Sequence, residues 1–156
     1  MKIVLIQIGK THFDFVDEGF DVFAKRLKHY CKFESHVFEL PTKLKSADID
    51  TIKKNEGELL MKKISSTDFL ILLDENGKEF HSKDFAQFIQ KQSLHQSSLT
   101  FVIGGAYGFS KGIYERANAQ LSLSKMTFSH QLIRLIFAEQ LYRAFTIIKG
   151  EPYHHE

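Results

Sequence analysis

Phe101-Val102-Ile103-Gly104-Gly105-Ala106-Tyr107-Gly108-Phe109-Ser110 is the stretch on which the fold turns. Its apolar start continues from Leu99 and reads as a strand buried on both faces, the kind that parallel sheets require. Glycine then stands at 104, 105 and 108. Glycine lets a backbone turn with positive φ and lets a ligand approach the main chain closely. Ligands of parallel α/β sheets bind beyond the carboxyl ends of the strands. The loop is therefore a binding-site candidate by position, although a plain tight turn would use the same glycines. It is not a dinucleotide fingerprint, because G-x-G-x-x-G would need glycine where Ile103 stands, and it is not a P-loop, because no Gly-Lys-Ser/Thr triplet closes this glycine loop.

Working outward, the same strand-then-helix grammar repeats. Lys2 to Ile8 is an apolar run ending at Gly9. Phe13, Val16, Phe20, Phe23, Ala24 and Leu27 fall at helical steps and predict an amphipathic helix from about Phe13 to Tyr30. Phe33 to Leu40 reads as a second strand and Pro41 to Ser46 as a basic loop. Ser46 to Ile64 reads as a helix with Ile49, Ile52, Leu59, Leu60 and Ile64 inward and Gly57 a weak point. Phe69 to Leu73 is a third strand ending at Asp74, with Asn76-Gly77 a turn. Ser82 is expected to cap a helix reaching about Gln92, Ser110 a short helix to Ala117. Ala119 to Ser124 is a short fifth strand, and a last helix runs from about Gln131 to Lys149. Strands alternating with helices imply an α/β fold with a mostly parallel sheet flanked by helices. The whole chain, 1–156, reads as a single domain.

The last helix is apolar on all sides: Leu132, Ile133, Leu135, Ile136, Phe137, Leu141, Phe145, Ile147 and Ile148 wrap around it. Such a helix must be covered on all sides. A chain this small does not easily do that alone, and a twofold homodimer is the commonest solution. Full burial inside one chain is the alternative.

Composition narrows the classes. The chain has 156 residues, 43% hydrophobic and 26% charged, with 15 phenylalanines for a core. A net charge of +2 permits a nucleic-acid partner without arguing for one. The one cysteine, Cys31, excludes an internal disulfide and favours a reducing compartment; it reads as a small apolar residue near a helix end rather than a nucleophile. The N-terminal apolar run is too short for a signal peptide, and no stretch is long enough to span a bilayer, so a cytoplasmic protein without membrane contact is expected. No pair among the eight histidines has zinc spacing, so no metal is expected.

Two other strand ends could converge with the glycine loop. One is Leu73-Asp74. The other is Ser122-Leu123-Ser124-Lys125-Met126-Thr127-Phe128-Ser129-His130, rich in small hydroxyl residues and charged only at Lys125. Such a loop offers backbone donors and acceptors between apolar walls, which suits an adenosine; it would equally serve as the lead-in to a helix capped by Ser129. The basic residues Lys43 to Ser46 and Lys53-Lys54 could meet phosphates or be ordinary solvated surface.

The glycine loop, Leu121-Ser122-Leu123-Ser124, His130-Gln131-Leu132-Ile133-Arg134, Glu139-Gln140-Leu141-Tyr142-Arg143-Ala144 and Pro152-Tyr153-His154-His155-Glu156 together resemble the large-subunit ribosomal RNA methyltransferase H family of the SPOUT superfamily. The resemblance reaches the start of the chain through Lys2-Ile3, Gly9-Lys10, Gly19-Phe20, Ala47-Asp48-Ile49, Glu56-Gly57 and Leu73-Asp74-Glu75-Asn76-Gly77-Lys78. It implies an α/β domain with a C-terminal trefoil knot, a topology no periodicity would suggest. It implies S-adenosylmethionine held by Leu73, Gly105, Ser124, Lys125, Met126, Thr127, Phe128 and Ser129. It further implies a homodimer with the site at its interface. The implied reaction is methylation at N3 of a pseudouridine in helix 69 of 23S rRNA, within the assembled ribosome. Motif position then makes His154 the candidate base for the N3 proton, Tyr153 a stacking platform, and Arg143 or Arg134 the group meeting a phosphate or developing charge. The chain departs from the family pattern at Ala106-Tyr107, where relatives have Pro-Glu, at Ser129, where they have proline, and at His155, arginine in some. An RNA-binding factor that has lost catalysis, and a nucleotide- or flavin-binding α/β protein, are the rival classes.

Overall fold

In a computed structural model describing residues 1–155, the chain order is β1 (Lys2–Ile8), α1 (Asp14–Leu27), β2 (Lys32–Phe38), α2 (Thr42–Lys45), α3 (Ile49–Lys63), β3 (Phe69–Glu79), α4 (Ser82–His95), β4 (Ser98–Ile103), α5 (Lys111–Arg116), β5 (Ala119–Ser122) and α6 (Leu132–Lys149). Glu156, the last residue of the C-terminal motif, lies outside the described residues. The strands form one sheet, ordered β2-β1-β4-β3-β5, and all neighbours run parallel.

Side-chain alternation divides the core into two layers. Ile3, Leu5, Ile71, Leu99, Phe101 and Ile103 point to one face, where Leu27, Phe85, Ile89, Phe137, Leu141 and Phe145 of α1, α4 and α6 cover them. Ile6, Ile8, Leu70, Leu72 and Val102 point to the other, under Leu60, Phe109 and Ile113 at α3 and α5. Both faces of the central strands are dry, which is why their sequences read as nearly continuous apolar runs.

Several boundaries differ from the sequence expectations. The segment 41–46 is not all loop: Pro41 precedes a single helical turn, its carbonyl accepting from Leu44 N–H at 2.9 Å. Helix α3 starts at Ile49 because Asp48 caps it, accepting from Thr51 N at 2.9 Å and Thr51 Oγ1 at 2.7 Å. Ile49 consequently sits at the solvent-facing end, 52% exposed. Ser82 is the first residue of α4 rather than its cap, and Ser110 occupies the cap position of α5 without a side-chain bond. Strand β5 stops at Ser122, whose Oγ donates to Ser124 O at 2.8 Å and turns the chain.

The difference that matters most is in β3. It does not end at Asp74, and Asn76-Gly77 is not a terminal turn. Leu73 and Lys78 both lie opposite Leu121 of β5, so residues 74–77 leave the ladder and rejoin it beside the same neighbour. Gly77 makes the return possible: a Cβ there would stand 2.7 Å from backbone atoms of Gln120 and Leu121. Insertions of this kind interrupt pairing and re-aim side chains, often beside active sites.

Helix α6 buries Phe137, Ala138, Leu141, Ala144 and Phe145. Its outer residues, among them Leu132, Leu135, Ile136 and Ile148, stay partly exposed, so the chain covers one face of this helix and leaves the other. Arg134, 2% exposed, sits at the start of α6 and fastens it to the end of β1. Its Nη2 donates to Ile8 O and Gly9 O, each at 2.8 Å, and its Nε to His130 O at 3.1 Å.

Candidate active site

The carboxyl ends of β3, β4 and β5 open into a cavity of about 650 Å³. Its walls are the β3 excursion (Asp74, Glu75, Asn76), the glycine loop from Gly104 to Phe109, and the segment from Leu121 to Ser124 and Met126 to His130; Tyr114 of α5 and Ile133 of α6 close it. Each wall has a local cause. Gly108, at φ +77°, turns the glycine loop back with its N–H on Gly105 O at 3.3 Å. Ser124 Oγ accepts from Met126 N at 2.9 Å and tightens the opposite lip. Ser129 Oγ accepts from Leu132 N at 3.1 Å, so this residue lines the cavity and holds the first residue of α6, although Gln131 and not Ser129 occupies the cap position.

Two bonds brace the excursion against its surroundings. Thr127 Oγ1 donates to Glu75 Oε2 at 2.8 Å, and Tyr114 OH donates to Asp74 Oδ2 at 2.5 Å. Burial, then the Asp74 carboxylate, pushes the Tyr114 phenol up to about 12, so it remains a donor at neutral pH. Burial and the neighbouring Arg134 hold His130 below the ordinary histidine value. Apolar side chains stand at the rim: Met126 is 78% exposed, Tyr107 49% and Phe128 37%.

Of the eight residues that the resemblance implied for the cofactor, Leu73, Gly105, Ser124, Met126, Thr127, Phe128 and Ser129 line this cavity. Lys125 does not; it is exposed and stands outside the lining. Tyr114, Glu75 and Asn76 were not singled out from sequence. The Asn76-Gly77 pair looked like a turn, and nothing in the short α5 marks Tyr114 as inward.

The second group of site residues lies elsewhere. Glu139, one turn before Arg143, organises it. Arg143 donates to Glu139 Oε1 through Nη2 at 2.5 Å and Nε at 3.1 Å, and Tyr153 OH donates to the same oxygen at 3.1 Å. The guanidinium lies 4.8 Å from the centre of the Tyr153 ring, and Tyr142 meets that ring edge-on at 4.8 Å. Burial and the Glu139 bond raise the Tyr153 phenol above its ordinary value. His154 Nδ1 stands 3.5 Å from Arg143 Nη1. A guanidinium only donates, so in this contact Nδ1 accepts and the neutral ring carries its hydrogen on Nε2. Glu139 carried no role in the sequence reading, where its four-residue step to Arg143 was the available signal.

None of Glu139, Arg143, Tyr153 or His154 lines the cavity. Arg143 lies ten residues beyond Ile133 on α6, about 15 Å along the axis. Arg134, the alternative to Arg143, is spent on backbone carbonyls and reaches no open surface. Cys31 is buried, its thiol pushed up to about 11 by burial, with Sγ 3.7 Å from Leu27 O; it is a core residue. Among the described residues no group of three or more His, Cys, Asp or Glu side chains is placed to hold a metal, and no helix is long and apolar enough to cross a membrane.

A cavity at the carboxyl ends of parallel strands, walled by a glycine loop and a hydroxyl-rich segment, is where parallel α/β folds bind their ligands, and the family match makes this one a methyltransferase of the SPOUT class. The chain belongs to that family: residues 1–154 match the family described as "Predicted SPOUT methyltransferase". Over its full length it is similar to proteins named ribosomal RNA large subunit methyltransferase H. The one from Christiangramia forsetii is 50% identical, covering 99% of each chain. That from Parabacteroides distasonis is 49% identical over 100% of both, and that from Cytophaga hutchinsonii 51% identical over 99% of this chain and 100% of its own. The fold also matches the structure of a probable methylase family protein from Haemophilus influenzae, with a TM-score of 0.52 over 99% of this chain and 70% of that one, at 12% identity. The chain is a methyltransferase.

Proposed function

We propose that this methyltransferase uses S-adenosylmethionine to methylate N3 of a pseudouridine in helix 69 of 23S rRNA, in the assembled ribosome and as a cytoplasmic homodimer of single-domain subunits. The full-length likeness, near 50%, to proteins named for large-subunit ribosomal RNA carries the substrate class. The cavity supports the cofactor. Its floor at Leu73 and Leu121 and its rim at Met126 and Phe128 offer apolar surface to an adenine ring, and main-chain groups of the glycine loop and of 124–129 are available to its edge. Bound there, S-adenosylmethionine would supply an electrophilic methyl group. The trefoil knot implied by the family would be formed by the loops that wall this cavity.

The homodimer reading rests on the outer face of α6 and on Phe13 and Phe15 at the start of α1, which stack at 5.3 Å while 48% and 61% exposed. A twofold axis across that face runs two α6 helices antiparallel, so the Glu139–Arg143–Tyr153–His154 cluster of one subunit approaches the cavity of the other. This answers the separation of the two groups within one chain. In that composite site Tyr153 would stack on the target base, Arg143 would meet phosphate or charge developing on the ring, and the N3 proton would pass to His154. His154 becomes a base only when Nδ1 leaves Arg143, which the incoming substrate would bring about.

The test is incubation of the purified protein with labelled S-adenosylmethionine and ribosomes from a strain lacking the modification, beside free 23S rRNA. Label confined to ribosomes, at a helix 69 pseudouridine, is the expected result. Label at another nucleotide, or on free rRNA alone, overturns the substrate assignment. Full turnover by His154→Ala on saturating ribosomes overturns the base.

A further inference from the structure

The cavity's lining contains two carboxylates, Asp74 and Glu75, and no lysine or arginine. The one charged residue of the 122–130 loop, Lys125, is exposed and is not part of that lining. His130, also in the lining, is held toward its neutral form by burial, so no cation answers the carboxylates from the α6 side. Arg134, the nearest arginine in sequence, spends its donors on Ile8 O, Gly9 O and His130 O.

Neither carboxylate is a loose surface group. Asp74 Oδ2 accepts from Tyr114 OH at 2.5 Å and Oδ1 from Asn76 N at 2.9 Å, while Glu75 Oε2 accepts from Thr127 Oγ1 at 2.8 Å. Each partner belongs to a different wall. All the donors are neutral, so the bonds fix the carboxylates in place and leave their negative charge uncompensated. A charge in a partly dry cleft acts over several ångströms at a lower dielectric than water.

On the reading that this cavity holds S-adenosylmethionine, we infer that Asp74, positioned by Tyr114 and seconded by Glu75, selects the cofactor by charge: it favours the sulfonium over the neutral thioether left after transfer. Methyl transfer converts the sulfonium to a thioether: the N3–C bond forms as the S–C bond breaks, the S–C electron pair stays on sulfur, and the N3 proton passes from the nucleobase to His154. The cavity therefore loses a unit of positive charge while its carboxylates stay, and the spent cofactor is the more weakly held. Asp74 is then a specificity residue and Tyr114 a positioning residue.

The experiment is calorimetric titration of the full-length wild type, Asp74→Asn and Tyr114→Phe with three probes: S-adenosylmethionine, S-adenosylhomocysteine, and sinefungin, which carries an ammonium group in place of the sulfonium. Asp74→Asn is expected to weaken both cationic probes about tenfold, with S-adenosylhomocysteine changed less than about threefold, as loss of one nearby charge implies. Tyr114→Phe should shift the same ratio in the same direction by a smaller factor. If Asp74→Asn weakens all three equally, Asp74 serves the ribose hydroxyls or the loop structure, and the inference fails while the cofactor reading stands. If the wild type binds none of the probes, both fail. Should Asp74→Asn not fold, raising salt with the wild type decides: affinity for the cationic probes must fall while that for S-adenosylhomocysteine holds, and parallel behaviour overturns the inference.

Discussion

Gly77→Ala should be among the most damaging single-methyl additions in this chain. The new carbon would lie 2.7 Å from Gln120 C, Leu121 N and Leu121 C. Carbon contacts are comfortable near 3.5–4.0 Å, so β5 must withdraw by about 1 Å, and unlike a side-chain tip a paired strand cannot swing aside. Withdrawal disturbs the Leu73↔Leu121, Lys78↔Leu121 and Glu79↔Ser122 pairs together. Overpacking costs about 1–3 kcal/mol and each ladder bond lost about 1 kcal/mol more, giving about 2–4 kcal/mol in all. For a chain of this length that lowers the melting temperature by about 5–15 °C. Gly112→Ala is the control: its methyl meets nothing within 4 Å, and alanine in a helix gains up to about 1 kcal/mol over glycine. Scanning calorimetry on both variants, with hydrogen exchange at Leu121 and Ser122, makes the comparison. A Gly77→Ala protein melting within about 2 °C of wild type, with β5 amides still protected, would refute the claim that this glycine exists for close backbone approach.

Further outcomes follow from groups described above. Arg134→Met should cost about 3 kcal/mol or more in chemical denaturation, because three backbone carbonyls, two of them at the end of β1, lose their donor; a loss below about 1 kcal/mol would mean water replaces it. Glu56 stands behind the glycine loop, its oxygens 2.6 and 2.8 Å from where a Gly105 Cβ would be, and desolvation raises its carboxyl above the ordinary 4.5. The folded state thus holds that proton more tightly than the unfolded one, so this contribution to stability is present below 4.5 and is lost as pH rises through the folded value. Glu56→Gln should accordingly raise the melting temperature at pH 7, with the gain shrinking toward pH 4; an unchanged or lower value at pH 7 contradicts the sign. Cys31 should resist thiol reagents at pH 8 in the native protein and react on denaturation, and fast native labelling would show that its surroundings open.

Alternation of buried strands and helices was plain in the sequence because both faces of β1, β3 and β4 are dry and α1, α3 and α4 carry one apolar stripe each, while α6 is apolar all round. The glycine loop and the 124–129 segment were legible for a similar reason: they sit where strands stop, and chain polarity dictates that parallel strands deliver ligands there. The β3 excursion was not legible. Asn-Gly is a turn signal, and Gly77 instead serves a close approach to a strand over forty residues further on, which no local pattern reveals. The start of α3 lies three residues beyond the Ser46 expected from sequence, because the Asp48 side chain accepts from Thr51 and fixes the cap there. The cluster around Glu139 was half legible: Arg143, Tyr153 and His154 stood in motifs with roles, while Glu139 stood in the same motif as Arg143 with no sign that its carboxylate binds both Arg143 and Tyr153.

The tie between Arg134 and the carbonyls of Ile8 and Gly9 joins residues 126 and 125 positions apart. Helix α6, to which Arg134 belongs, also packs on α1, the first helix made. The opening strand and its helix thus wait for the last fifth of the polypeptide before their polar ends and apolar flanks are closed. A nascent chain cannot settle its first βα unit as it emerges, and contacts so distant in sequence make folding slow. The penalty for premature termination is correspondingly high: a fragment ending before α6 would expose the α1 side of the sheet and leave β1 fraying at its carboxyl end, the form in which an incomplete product is most readily aggregated or degraded.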